Sequence, residues 1–184
     1  MEESTLKYWK DAGHVARRTL EAMKLELTPG KTFHEVIESA ERYIHRHGGK
    51  PAFPGTIAVN DLAAHFTTDH AINHVEGWDG EMILQKGDCV KIDFGVHIKG
   101  HLADNALTFE IGNGNEHTEQ IKAAKEARDA AIEMMHPGTP WYKVGQAAAQ
   151  PSLDAGFQPI RNLCGHQLKP CLLYTSPSPR DVRS

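Results

Sequence analysis

The apolar residues of the first part of the chain recur at helical spacing. Residues 6–27 repeat apolar side chains at three- and four-residue steps and stop before Pro29-Gly30, which predicts an amphipathic helix. A second helix is predicted to begin after Thr32, because Thr32-x-x-Glu35 has the form of a capping box. Gly48-Gly49 ends it, since glycine suits the left-handed residue that closes a helix.

Two more helices are predicted later in the chain. Residues 121–135 again show apolar side chains at helical spacing, and the pattern stops at Pro137-Gly138. A weaker helix begins at Trp141 and carries Pro151, which fits only near a helix end or at a kink.

Between these helices the pattern changes to strict alternation. In residues 90–98 every second residue is apolar, and Lys99-Gly100 follows as a turn signal, so residues 102–111 are predicted to return as a paired strand. Residues 157–163 are interpreted as a further strand. The pattern therefore predicts an α+β chain in which a strand hairpin lies between two pairs of helices.

Length and composition exclude several classes of protein. The 184 residues predict about one domain, and 40% hydrophobic content supports a buried core. A net charge of −4 without a long basic block argues against binding nucleic acid through bulk phosphate neutralisation. No apolar run approaches the roughly 20 residues of a membrane span, and the three cysteines suggest neither a disulfide framework nor a zinc ribbon. We expect a soluble, cytoplasmic protein.

The last fifteen residues differ from the rest in composition. Residues 170–184 contain three prolines and three serines, and no helical or strand period follows Leu173. The stretch reads like translated sequencing adapter, although a disordered natural tail has the same appearance. We expect residues 1–169 to be the N-terminal portion of a single catalytic domain and residues 170–184 to be a non-native tail.

Two aspartates are predicted to share one face of the hairpin. If the Lys99-Gly100 turn pairs residue 98 with residue 101, then residue 95 faces residue 104, and Asp93 and Asp104 become diagonal neighbours within about 7–8 Å. Adjacent carboxylates repel each other unless a cation or a shared proton lies between them. Either this is a solvated face with two unrelated aspartates, or it is part of a divalent metal site.

One histidine could complete such a metal site, and a second could bind a substrate beside it. His166 follows Gly165, and the turn would direct its imidazole sideways toward the aspartates as a third ligand, although a lone histidine is more often structural or exposed. His65 lies among small apolar residues and hydroxyls, which would partly desolvate it and favour its neutral form. It could hydrogen-bond a substrate carbonyl, or it could be an ordinary core histidine.

Four stretches follow one another along the chain: Gly48-Gly49-Lys50-Pro51-Ala52-Phe53-Pro54, Ala63-Ala64-His65-Phe66-Thr67, Lys91-Ile92-Asp93-Phe94-Gly95 with Gly100-x-x-Ala103-Asp104, and Asn162-Leu163-Cys164-Gly165-His166. In this order they resemble the methionine aminopeptidases of the archaeal and type 2 branch, which are pita-bread metallopeptidases. The resemblance covers about residues 6–168.

The resemblance implies an α+β pita-bread fold, in which an antiparallel sheet is covered by helices, together with a cofactor and roles for five residues. It implies that Asp93, Asp104 and His166 are three of five ligands of two divalent ions, of Co, Mn, Fe or Zn. It further implies that His65 binds the substrate near the scissile peptide bond and that Phe53 lines the pocket for the methionine side chain. The reaction would be removal of the N-terminal methionine from nascent proteins, with the ribosome as a further candidate partner and a monomer as the complete form. It implies no DNA or membrane partner.

This sequence departs from the family pattern in two places. Between Thr68 and Gly87 it is longer than the archaeal pattern, and that stretch contains His70 and His74, for which an exposed loop is the simpler interpretation. The match ends near residue 169, and no glutamate follows Glu133, so two glutamate ligands and the catalytic base have no counterpart. We therefore expect a C-terminally truncated chain, with much of the second half of the fold missing and no activity of its own.

Two alternatives belong beside this hypothesis. An Xaa-Pro peptidase has the same fold but usually carries an extra N-terminal domain. The second alternative is a non-catalytic relative that binds proteins or RNA. Such relatives lose the ligand aspartates, whereas this sequence retains them.

Overall fold

A computed structural model describes residues 3–68, 82–112, 114–161, 163 and 165–175 of the chain. The elements in chain order are α1 (Glu3–Glu26), α2 (Phe33–Arg46), β1 (Lys50–Pro51), β2 (Thr56–Val59), β3 (Cys89–Ile98), β4 (His101–Glu110), α3 (Thr118–Met134), α4 (Trp141–Asp154), β5 (His166–Lys169) and β6 (Leu172–Thr175). In these ranges no helix has both the length and the apolarity needed to cross a membrane.

The chain divides into two compact units. One comprises residues 1–113 and 165–184, and it contains the sheet with α1 and α2. The other comprises residues 114–164, where α3 packs against α4, and Ala123 and Val144 are buried. The expected boundary at residue 169 remains a prediction.

The sequence signals that begin and end α2 have the predicted structures. The capping box at α2 is complete, because the Glu35 amide donates to the Thr32 hydroxyl at 3.1 Å and the Thr32 amide donates to the Glu35 carboxylate at 2.8 Å. Gly48 follows the helix with a φ of 80°, the left-handed conformation that glycine adopts without strain.

β3 is the central strand of a four-stranded antiparallel sheet and forms a hairpin with β4. Lys99 and Gly100 both have positive φ, 48° and 79°, which is the two-residue turn that suits the twist of paired strands. The turn pairs Ile98 with His101, as the sequence predicted. Because β4 pairs along the whole of β3, both β1 and β2 lie against the opposite edge of β3.

The core lies on the side of β3 that carries Ile92, Phe94 and Val96. These side chains are at most 2% exposed, and they belong to one apolar cluster with buried residues of α1 and α2. The opposite side of the strand carries Lys91, Asp93 and Gly95. One face of the sheet therefore packs against the helices, and the other face carries the polar residues.

The structure overturns two expectations about the end of the chain. Residues 157–161 and 163 form no strand, because their apolar residues recur every third position and cannot line one face of a strand; Ile160 is 53% exposed. Conversely, β6 lies within the stretch predicted to be irregular, where it pairs with β5. The turn between them contacts the first hairpin, since the Cys171 amide donates to the Gly100 carbonyl at 2.7 Å.

Candidate metal centre

The two aspartates take the diagonal arrangement that the hairpin register predicts. Gly95 of β3 pairs with Asp104 of β4, and Asp93 pairs with Ala106. Directly paired residues share a face and side chains alternate along a strand, so Asp93 and Asp104 project from the face opposite the core. Both belong to the same hairpin, whose register is fixed by its two-residue turn.

Asp93 is held in an environment that disfavours its charge. Burial, and after it the nearby Asp104 carboxylate, raise the pKa of Asp93 from 3.8 to about 6, while the charge of Lys91 acts in the opposite direction. Its Oδ1 atom is buried and has no hydrogen-bond partner. A buried carboxylate oxygen without a partner is costly, and a cation would relieve both the desolvation and the repulsion.

His166 joins the pair by contacting Asp104. Its Nε2 lies 3.0 Å from Asp104 Oδ2, and the two side chains are 27% and 25% exposed. His166 is the first residue of β5, so it begins a strand after Gly165. The structure thus brings the three predicted ligands to one place, although residue 166 pairs with one carboxylate and does not converge on both.

The types of donor group at this site are those that bind divalent cations. Two carboxylates and an imidazole suit Mn, Fe, Co or Zn. Within the described ranges no three His, Cys, Asp or Glu side chains already form a group that could hold an ion. The observation that supports a cation is therefore the unpartnered, buried Oδ1 of Asp93 beside a second carboxylate.

His65 lies close to this pair but is not desolvated as expected. The side chain is exposed, which rules out a core histidine, and charge on its imidazole lowers the pKa of Asp93. The expectation is wrong because the part of the loop before His65 is open to solvent: Leu62 is 39% exposed, and Ala63 is exposed as well. His65 has a φ of 61°, a left-handed conformation that is unusual for a residue with a side chain.

The loop that carries His65 is fixed at both ends. Asn60, also in a left-handed conformation, accepts a hydrogen bond from the Cys89 amide at 2.9 Å and donates to Asp88 at 3.0 Å. At the far end the Ile57 amide donates to the Phe66 carbonyl at 2.8 Å. These bonds join the loop to the strands, so the position of His65 is set by the sheet.

Phe53 lies on the same face of the sheet as the aspartates. Its half-buried ring packs directly over Gly95, the residue that pairs with Asp104. The preceding residue is tied to the strand, because the Ala52 amide donates to the Gly95 carbonyl at 2.9 Å. An aromatic wall therefore adjoins the carboxylates.

Two residues of this face were missed at the level of sequence. Lys91 lies two residues before Asp93, and its ammonium group donates to the Ala63 carbonyl in the His65 loop. Thr56 of β2 pairs directly with Asp93. The alternation of β3 could have placed Lys91 beside Asp93, whereas the four-residue β2 is too short for its pairing to be read from sequence.

Other predicted features lie outside the described residues. His70 and His74 fall within residues 69–81, and Asn162 and Cys164 also lie outside the described ranges.

Comparison with known proteins gives consistent results. The model of metallopeptidase family M24 matches residues 7–178. A methionine aminopeptidase of Archaeoglobus fulgidus is 36% identical over 178 residues, which are 97% of this chain and 57% of that protein. One of Methanothermus fervidus is 31% identical over 192 aligned positions, covering 98% of this chain and 96% of that protein.

A solved structure shares the fold. The methionine aminopeptidase of Thermotoga maritima superimposes with a TM-score of 0.83 at 24% identity, over 96% of this chain and 70% of that one. The expected α+β pita-bread fold is thereby confirmed. The chain spans about half the length of most of the curated relatives it matches, between 50% and 57% for the first two. The family match over nearly the whole chain is decisive: this chain belongs to metallopeptidase family M24, whose members use divalent metal ions.

Proposed function

We propose that this chain is the N-terminal portion of a metal-dependent aminopeptidase that removes the first methionine from nascent proteins and peptides. The observation that carries the proposal is the buried, unpartnered Oδ1 of Asp93 beside Asp104, on a sheet face bordered by His65 and Phe53. The relatives from Archaeoglobus fulgidus and Methanothermus fervidus are methionine aminopeptidases, which supports this activity.

In this proposal each residue of the face has a separate task. Asp93, Asp104 and His166 would supply three of the five ligands of two divalent ions of Co, Mn, Fe or Zn in the complete enzyme. When bound, such ions lower the pKa of water and polarise a carbonyl. His65 donates a hydrogen bond near the scissile peptide bond, and Phe53 contacts the unbranched methionine side chain. The half-buried position of the aspartates limits the access of bulk water, which strengthens their interaction with a cation.

These 184 residues lack part of the expected metal site. Two glutamate ligands and the catalytic base implied by the family resemblance have no counterpart, since no glutamate follows Glu133. We infer that the chain binds a cation without turning over a substrate. We also propose that residues 170–184 are not native, and that the complete enzyme is a cytoplasmic monomer that meets its substrates at the ribosome.

The test is a chimera that supplies the missing ligands. Residues 1–169 are joined to the corresponding C-terminal part of the Archaeoglobus fulgidus relative, and methionine release from a Met-Ala-Ser peptide is measured with Co²⁺, Mn²⁺ or Fe²⁺. We expect release by the chimera, none by the 184-residue chain, and none by an Asp93→Asn chimera. The Asp93→Asn form is a matched control because it keeps the size of the side chain.

Other outcomes of the same assay would overturn parts of the proposal. Cleavage of an Ala-Pro peptide in preference to Met-Ala-Ser would favour the Xaa-Pro peptidase. A folded chimera that binds no metal would favour a non-catalytic module. Turnover by the 184-residue chain that Asp104→Ala abolishes would contradict its proposed inactivity.

A further inference from the structure

A glycine occupies the middle of the central strand of the sheet. Gly95 lies in β3 with β4 on one side and the Ala52 backbone on the other. Glycine weakens a strand, because it loses more conformational freedom on folding than other residues and offers no side chain for packing. Its φ is not among the positive values of the chain, so the backbone does not require glycine at this position.

The ring of Phe53 explains why a side chain is absent there. A methyl group built on Gly95 would overlap the Cδ1 and Cε1 atoms of Phe53 and would lie 2.9 Å from the Ala52 Cβ atom. Carbon atoms in favourable contact are about 3.5–4.0 Å apart. Any side chain at position 95 must therefore displace the aromatic ring by more than an ångström or push the backbone of residues 52 and 53 away from the strand.

The contact between Phe53 and Gly95 lies on the face of the sheet that carries the two aspartates. Gly95 follows Asp93 on the same face of β3 and pairs with Asp104 on β4. The ring that covers Gly95 thus lies beside both carboxylates and at the depth of the sheet surface. If Phe53 is a wall of the methionine pocket, as in the proposed function, a ring lifted by one methyl group would change the depth of that pocket.

We propose that Gly95 is a positioning residue that sets the depth of the methionine pocket by letting the Phe53 ring pack flat on β3. The inference rests on the proposed function, because it takes Phe53 as a wall of that pocket. It assigns the selectivity for an unbranched side chain to the contact between residues 53 and 95 and not to Phe53 alone.

The test compares Gly95→Ala with Gly145→Ala in the 184-residue chain. A Cβ atom at Gly145 in α4 would meet no atom within 4 Å, so this variant controls for the glycine-to-alanine change itself. Affinities for L-methionine and L-alanine are measured calorimetrically in saturating Co²⁺, and Co²⁺ affinity is measured separately. We expect Gly95→Ala to lower the affinity for L-methionine about tenfold or more relative to the affinity for L-alanine, as loss of a fitted apolar contact does. The affinity for Co²⁺ should change by less than twofold.

A double-variant cycle separates failure of this inference from failure of the proposed function. In urea unfolding, Gly95→Ala should lower the midpoint by about 1 M, since overpacking is destabilising, and by much less when Phe53 is already alanine. An equal shift in both backgrounds would overturn the inference, as would unchanged methionine selectivity in a Gly95→Ala chain. If the unmodified chain binds neither methionine nor Co²⁺, the proposed function is refuted instead. The urea cycle would then still show whether residues 53 and 95 are coupled.

Discussion

Replacing Asp93 with asparagine removes a partly buried charge and keeps the shape of the side chain. Burial, followed by the Asp104 carboxylate, raises the pKa of Asp93 to about 6. A carboxyl group with a raised pKa binds more protons in the folded state than in the unfolded state between about pH 3.8 and pH 6. Its contribution to stability is therefore fully present below pH 3.8 and is lost as the pH rises through 6.

The size of the effect follows from that pKa. At 1.36 kcal/mol per pH unit, a rise from 3.8 to about 6 corresponds to about 3 kcal/mol. Asp93 is only half-buried and water screens its charge, so about 1–2 kcal/mol is the discounted expectation. The metal-free Asp93→Asn chain should be more stable than the unmodified chain by that amount at pH 7.5 and equal to it near pH 4.

The assay is urea unfolding followed by tryptophan fluorescence at pH 4, 5, 6 and 7.5, with a chelator present. Asp61→Asn, at an exposed carboxylate, is the matched control and should show no such pH dependence. An Asp93→Asn chain that is less stable than the unmodified chain at pH 7.5 would refute the reasoning. So would a difference in stability that does not grow between pH 4 and pH 7.5.

Two further variants test how the site is positioned. Thr32→Ala removes the hydroxyl that caps α2 and should lower the free energy of unfolding by about 1 kcal/mol in urea; Thr32→Ser keeps the cap, and a loss of equal size there would contradict the capping argument. Lys91→Met removes the donor to the Ala63 carbonyl, so hydrogen exchange at the Leu62 amide should accelerate about threefold to tenfold, in proportion to one net hydrogen bond. Lys91→Arg should restore slow exchange, and unchanged exchange in Lys91→Met would show that Lys91 does not hold the loop.

The register of the metal face was predictable because one local signal determines it. A two-residue turn at Lys99-Gly100 fixes the pairing of every residue in the two strands, and a slip by one would move Asp93 to the core side. The amphipathic helices were predictable for a similar reason, since caps and spacing act within a few residues.

The rest of the site depends on contacts between distant parts of the chain. β1 and β2 have only two and four residues, so they show no period and form because β3 offers an open edge. The exposure of His65 was missed because its apolar and hydroxyl neighbours suggest burial, whereas the loop turns the His65 side chain to solvent although Phe66 and Thr67 beside it are partly or fully buried. The overlap of Phe53 with position 95 also requires the fold, because the two residues meet only through the pairing of residue 52 with β3.

Binding of Co²⁺ by the metal-free 184-residue chain is the most direct test of the central claim, which is that Asp93 and Asp104 form a divalent cation site. Calorimetric titration at pH 7.5 should show binding by the unmodified chain and by Asp61→Asn. Asp104→Asn should bind more than about tenfold more weakly, since even outer partners of a metal ligand contribute about 10- to 100-fold. Equal Co²⁺ affinity in Asp104→Asn and the unmodified chain, or no binding by either, would contradict the account.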